Sequence, residues 1–283
     1  MLSFTQEEYV LKNANVPEHI PSLMVGISKA EPFLMEEFIF FSKEDWLIFI
    51  GYPLERGFQE KHLSQILETV IQNFKPMRTW FIAPELPRSF SHPVQSIEND
   101  QYYRLEMGTF KLRGDLAREI KKAREKLSVE KSRLFSKEHE TLNREFLERQ
   151  ELPPRVRELY LRIPEYLAYS PTSLLLSAWD QNHELTAFHV LEFAARNFIV
   201  YVMGCFSRKH YAAHASDLLF EEMIQAAKEK GKDYIHLGLG VNDGIRRFKM
   251  KWGGTPSGDY FAGEISFAGS RGSPWLKALM SRL

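Results

Sequence analysis

With a single cysteine, Cys205, in 283 residues, the chain has no intrachain disulfide. That fits a reducing compartment, where a lone thiol serves as a small buried hydrophobe rather than a nucleophile. Net charge is missing too. Lys plus Arg and Asp plus Glu number 37 each, so attraction to nucleic acid or anionic lipid has to come from local clustering. Long apolar runs are absent: residues 198–206, FIVYVMGCF, fall far short of the roughly 17–25 residues of a membrane-spanning helix. The first residues, MLSFTQEEYVLKN, are charged from the first turn and carry no signal-peptide core. A soluble, cytoplasmic protein with no integral membrane segment is expected. Neither GxSxG nor GxxxxGK(S/T) occurs, which removes the main support for a serine hydrolase of that type and for a P-loop nucleotidase.

What is present is ample core material: 44% hydrophobic residues, 21 Phe and 11 Tyr. The length suits two domains. Thr5 and Glu8 have capping-box spacing, which predicts a short opening helix. Residues 36–53 hold two apolar-aromatic runs around the polar turn 42–45, a hairpin signal. Leu63, Ile66, Leu67, Val70 and Ile71 then recur at helical spacing, and TWFIAP (79–84) reads as a buried strand.

The same order returns in the second half. Residues 173–193 form a hairpin turning at 180–184, followed by a strand over 198–206 and a helix over 216–230. Ser216 or Asp217 is placed to cap that helix and Gly231 to stop it. The strand DYIHLGLG (233–240) closes the unit. Between the halves lie a charged helix over 114–126, a strand near 127–135, and helices over 137–149 and 154–166 separated by Pro153-Pro154. The reading is an α/β (α+β) fold of two domains, 1–112 and 113–283, each with a mixed, mostly antiparallel sheet flanked by helices.

Chemistry concentrates in residues 233–254, DYIHLGLGVNDGIRRFKMKWGG. Its GxGxxxG spacing departs from a dinucleotide loop, and too little chain remains for a Rossmann unit; the glycines instead permit a tight turn. His236 shares a strand face with Tyr234 and Gly238. Arg246, Arg247, Lys249 and Lys251 place four cations within six residues. On a helix starting near Asn242, Phe248 and Trp252 are i and i+4, so they should pack inward while the cations spread over the other faces. His210 and His214 have the spacing of a helical metal pair, but they precede the helix and no third ligand is near, so no metal is expected.

HLGLG, NDG and RRFKMKWGG, after the helix LLFEEMIQAAKEKG, resemble the catalytic module of the Fem-type peptidyltransferases and BioF2-like acetyltransferases. They are also similar to the C-terminal domain of lysyl-phosphatidylglycerol synthases. The close match covers about residues 170–262. The resemblance implies paired GNAT-like domains, the first degenerate and the second carrying the site. It also implies transfer from an acyl-CoA or aminoacyl-tRNA co-substrate, with no tightly bound cofactor, to the amine of a small molecule, peptide or lipid headgroup; tRNA is then a partner.

Phe248 and Lys249 correspond to the family's Phe-Lys pair, with Lys249 tied to catalysis. Asp243 or His236 is the expected proton acceptor, and Asn242, Arg246, Arg247 and Tyr234 are expected near the substrate. Arg208, Lys209 and Ser216 are expected near the donor's phosphates. The acetyl-CoA loop of GNAT enzymes is, however, altered: Tyr211 stands where its first glycine belongs. The alternative reading is therefore an inactive GNAT-fold module that senses an anionic ligand.

Overall fold

The two hairpins and the helix that follows each of them set the frame of the molecule. The computed structural model describes residues 1–152 and 154–267. In the first part α1 (Phe4–Asn13), a 3₁₀ turn (Pro17–His19) and α2 (Pro21–Ser28) precede strands β1 (Glu31–Met35), β2 (Phe38–Lys43) and β3 (Trp46–Ile50). Helix α3 (Glu60–Phe74), β4 (Arg78–Ala83) and the long β5 (Gln95–Glu106) follow. Next come α4 (Gly114–Arg124), β6 (Ser128–Ser132), α5 (Lys137–Arg149) and α6 (Pro154–Tyr169). The last part holds β7 (Ser173–Trp179), β8 (Leu185–Glu192), β9 (Phe198–Phe206), α7 (Ala215–Glu229), β10 (Tyr234–Leu239), α8 (Asp243–Lys251) and β11 (Thr255–Ser266).

Every strand among the described residues joins one mixed sheet in the order β1-β2-β3-β4-β11-β5-β10-β9-β8-β7-β6. An antiparallel hairpin, a helix and a strand parallel to the hairpin's second strand occur twice, as β2-β3-α3-β4 and as β8-β9-α7-β10. β11, from the end of the chain, lies between β4 and β5, and β5 in turn pairs with β10. Alternation along the strands sends side chains to opposite faces. Leu176 and Ala187 pack with α4 and α7, whereas Leu175 and Phe188 pack with α2, α5 and α6.

Local signals placed most helices within a residue or two, with two differences at their starts. The opening helix is capped by Ser3, whose hydroxyl accepts from Gln6, so the box sits two residues before the expected Thr5 and Glu8. α7 is preceded by His214 in the left-handed region (φ 63°) and has no side-chain cap. Ser216 and Asp217 lie inside its first turn, and the Asp217 carboxylate is drawn instead to Lys251 and Trp252. β5 and β11 were not anticipated, because polar residues occupy the exposed half of each. Pro153 of the expected Pro-Pro break lies outside the described residues. Among the described residues no helix is long and apolar enough to cross a membrane.

Candidate functional site

β9 and β10 run parallel but pair at only three positions, ending at His236 opposite Val200. Past that point β10 bulges against β5 between His236 and Gly238. The bulge needs glycine, since Gly238 has φ +71°. It is also held by the His236 ring, whose Nδ1 accepts the Gly238 N–H at 3.1 Å. The strands therefore part, and a cavity of about 620 Å³ opens where they separate. Ala215, Leu237 and Phe248 line it from the α7 face, and Leu23, Tyr160 and Met203 from the α2–α6 face, so it passes through the sheet.

The turn after β10 is tied down from a distant part of the chain. The carboxylate of Asp100, on β5, accepts the N–H groups of Gly240 (3.2 Å) and Val241 (2.8 Å). Asn242 then caps α8 by accepting from Ile245 at 2.9 Å. Phe248 and Trp252 pack inward as their spacing predicts, both against Phe220, with ring centroids at 5.5 and 4.5 Å.

Lys249, next to Phe248, does not follow the expected pattern of exposed cations. Lys249 is 2% exposed. Its Nζ donates to the Leu239 carbonyl and stands 5.7 Å from the centre of the Tyr103 ring. Burial holds its ammonium down at about 7, against a partly opposing pull from the Asp100 carboxylate. A lysine with no carboxylate at hydrogen-bond distance, facing a cavity, is unusual in a fold and makes this position a candidate functional centre.

Lys251 is likewise no free cation. Its ammonium meets both Asp217 oxygens at 2.7 Å, and Asp217 also accepts from Trp252 Nε1 (3.2 Å) and lies 2.9 Å from His214 Nδ1. The positive end of α7 thus carries a carboxylate of its own.

The structure divides the expected residues into two sets. Lys249, Phe248, Asn242 and Ser216 line the cavity. Asp243 is exposed and bound to Arg246 at 2.5 Å, and Arg247 turns back to the Asp243 carbonyl at 3.2 Å; none of the three lines the cavity, and the Arg246 stem packs over Gly240. Arg208 and Lys209 are exposed on a loop whose backbone is fastened to Glu145 of α5. Tyr234 stacks on Phe198 at 5.0 Å beneath the Arg104 guanidinium, and burial pushes its phenol up to about 12. His236 packs against Tyr102 and Phe198. Burial, with the Lys249 and Arg104 charges, holds its imidazole down at about 3, so it shapes the bulge as a neutral ring.

Other residues at the cavity carried no local signal. Glu18, just before α2, accepts the Tyr102 hydroxyl at 2.7 Å and faces the cavity from the other half of the chain. His189 of β8 is 1% exposed, lines the same space, and has no hydrogen-bond partner at Nδ1. In sequence it is one alternating position of an apolar strand. Among the described residues no three His, Cys, Asp or Glu side chains stand together as a metal site. His210 lies beside Glu184 and His214 beside Asp217. Cys205 is buried and its thiol is pushed up by burial.

One glycine holds the lysine in place. The Gly254 N–H donates to the Lys249 carbonyl at 3.0 Å, and a Cβ there would lie 2.9 Å from that oxygen and 2.6 Å from Leu237 Cδ1. Gly254→Ala is expected to destabilise the protein by about 1–3 kcal/mol through overpacking. Urea unfolding of the purified variant measures this, and an unchanged midpoint would show that α8 has room to shift.

No family model and no curated protein matches the chain. Solved structures do. L-PGS from Bacillus licheniformis aligns over 99% of this chain and 98% of its own, with a TM-score of 0.59 at 16% identity. FemX aligns over 92% and 96%, with a TM-score of 0.63 at 13% identity. A tandem GNAT protein from the clavulanic acid biosynthesis pathway aligns over 88% of each chain, with a TM-score of 0.52 at 10% identity. The mixed α/β fold is therefore GNAT-like, shared with these proteins at low sequence identity.

Proposed function

We propose that this chain, sharing its fold with FemX, L-PGS and a tandem GNAT protein, is an acyl- or aminoacyl-transferase acting on an amine acceptor. The observation that carries the reading is the buried Lys249 ammonium, set on the Leu239 carbonyl where β9 and β10 separate and facing a cavity of about 620 Å³, a size usual for ligand sites. The donor is an acyl-CoA or an aminoacyl-tRNA, and the acceptor a small molecule, peptide or lipid headgroup.

In the proposed reaction the acceptor nitrogen attacks the donor's carbonyl carbon, and the C=O electron pair moves onto oxygen. Lys249 donates a hydrogen bond to that developing oxyanion in a site largely removed from water, where such a donor is worth most. The nitrogen gives up its proton, the bond from carbon to the thiol sulfur or ribose oxygen breaks, and the leaving group departs with a proton. Glu18, facing the cavity and fixed by Tyr102, is a better placed proton acceptor than Asp243, whose carboxylate is exposed, paired with Arg246 and away from the cavity. Ser216, with Arg208 and Lys209 on the loop before α7, is assigned to the donor's phosphates.

A second reading is favoured by Asp217. Its carboxylate occupies the helix end where GNAT enzymes would hold a pyrophosphate, which suits a binding module that has lost ordinary CoA use.

Thermal melting with acyl-CoAs, aminoacyl-tRNA and uncharged tRNA separates the readings, because a ligand at about 100 times its Kd adds about 2.7 kcal/mol to the native state. The expected result is stabilisation by one donor class, followed by appearance of the acylated amine in mass spectra. Stabilisation without transfer to any amine supports the binding module; no response to any donor removes the transferase reading.

A further inference from the structure

The two ends of the cavity differ in chemistry. Around the first turn of α7 it is polar, with Ser216, His214 and the Asp217–Lys251 pair. Between α2, α6 and the opposite face of β9 it is lined by Leu23, Ile27, Leu159, Val202 and Met203. Leu159 and Val202 are only partly buried and flank a closed apolar core, so they leave hydrocarbon facing the space. Of the acids that border the cavity, Glu18 accepts the Tyr102 hydroxyl just before α2, and Asp217 pairs with Lys251 at the polar end.

A charged side chain entering between α2 and α6 would give up hydration against Leu23, Ile27, Leu159, Val202 and Met203, none of which can bear a counter-charge, and this is unfavourable. A hydrocarbon chain there would only exchange water for apolar contacts. The chamber is also continuous with the Lys249 centre, being part of the same cavity.

We infer that the donor carries an apolar acyl chain, whose carbonyl lies at Lys249 and whose tail runs between α2 and α6. This rests on the reading of the site as an acyl-transfer centre. It narrows the donor from any acyl or aminoacyl group to an apolar acyl group, and makes Leu159 and Val202 the residues that set its length.

The test uses N-acetylcysteamine thioesters carrying acyl chains from acetyl to palmitoyl, which are independent of whether the natural carrier is CoA or tRNA. Affinity, measured by titration calorimetry on the whole protein, is expected to rise about four-fold per added methylene until the chamber is full. Leu159→Phe, and separately Val202→Phe, should move that plateau to shorter chains and weaken palmitoyl binding far more than acetyl binding. Two positions are used so that one poorly folded variant does not decide the matter. A flat series overturns the inference, as does a plateau that stays put in a folded variant. So does length dependence seen with alkylamines but not thioesters, which would give the chamber to the acceptor's tail. Transfer of short acyl groups with no length preference would leave the transferase reading standing and remove this one. Length-dependent binding with no transfer to any amine would do the reverse.

Discussion

Lys249→Met is expected to lower the transfer rate by about 10²–10³-fold, the usual loss when one oxyanion donor is removed, and at the same time to make the protein more stable. The two effects have one cause. Lys249 is 2% exposed, and burial holds its ammonium down at about 7, whereas in the unfolded chain a lysine keeps its ordinary value near 10.5. Between those values the unfolded state binds the proton that the folded state has released. Stability attributable to this side chain is therefore complete only above about 10.5 and is lost as pH falls toward 7, by up to about 1.4 kcal/mol per pH unit.

Methionine fills much of the same space without the charge. Urea unfolding of wild type and variant between pH 7 and 9.5 should show the wild type gaining on the variant as pH rises. Parallel curves would mean that Lys249 is hydrated in solution. Activity supplies an independent check. A lysine acting as a cation loses its effect as pH rises through about 7, so the wild-type rate per molecule of neutral amine should fall above that pH. A rate that instead rises through 7 would recast Lys249 as the proton acceptor, and undiminished turnover in Lys249→Met would remove it from the reaction.

Acid should unfold the protein at unusually mild pH. Four histidines are almost wholly buried: His19, His139, His189 and His236. Burial lowers the first two to about 4 and the last two to about 3. Local bonding supports the neutral form in three of them. His19 Nδ1 accepts the Asn15 N–H, His139 Nδ1 accepts the Ser136 N–H, and His236 Nδ1 accepts the Gly238 N–H. A ring nitrogen that accepts cannot also carry a proton without breaking that bond.

Because the folded values lie below the unfolded value of 6.5, the stability these rings contribute is complete above 6.5 and is lost as pH falls toward 3–4. Four protons taken up on unfolding give a slope of about 5 kcal/mol per pH unit, and a whole domain is stable by only about 5–15 kcal/mol. Tryptophan fluorescence should therefore report cooperative unfolding between about pH 6 and 4, before most carboxylates titrate. A protein still folded at pH 4, or a transition taking up about one proton, would show that these rings are reached by water.

What the sequence alone determined is what depends on neighbours in the chain. The polar turn at 42–45, the turn at 180–184 and the helical spacing from Leu63 to Ile71 act over a few residues, and each forms as read. The inward pair Phe248 and Trp252 follows from the same periodicity. The run RRFKMKWGG, read as a patch of four cations, shows where such reasoning stops. Spacing says which residues share a helix face but not what that face meets.

Only the tertiary structure decided that Lys249 is enclosed while Arg246 and Arg247 remain outside. Its enclosure needs Tyr103 and Asp100 from β5, the parting of β9 from β10, and β11 returning through Gly254. Glu18 and His189 come to the cavity in the same way, from strands and turns far apart in the chain. A buried charge is set by the summed surroundings of one atom, and those surroundings exist only once distant segments have paired.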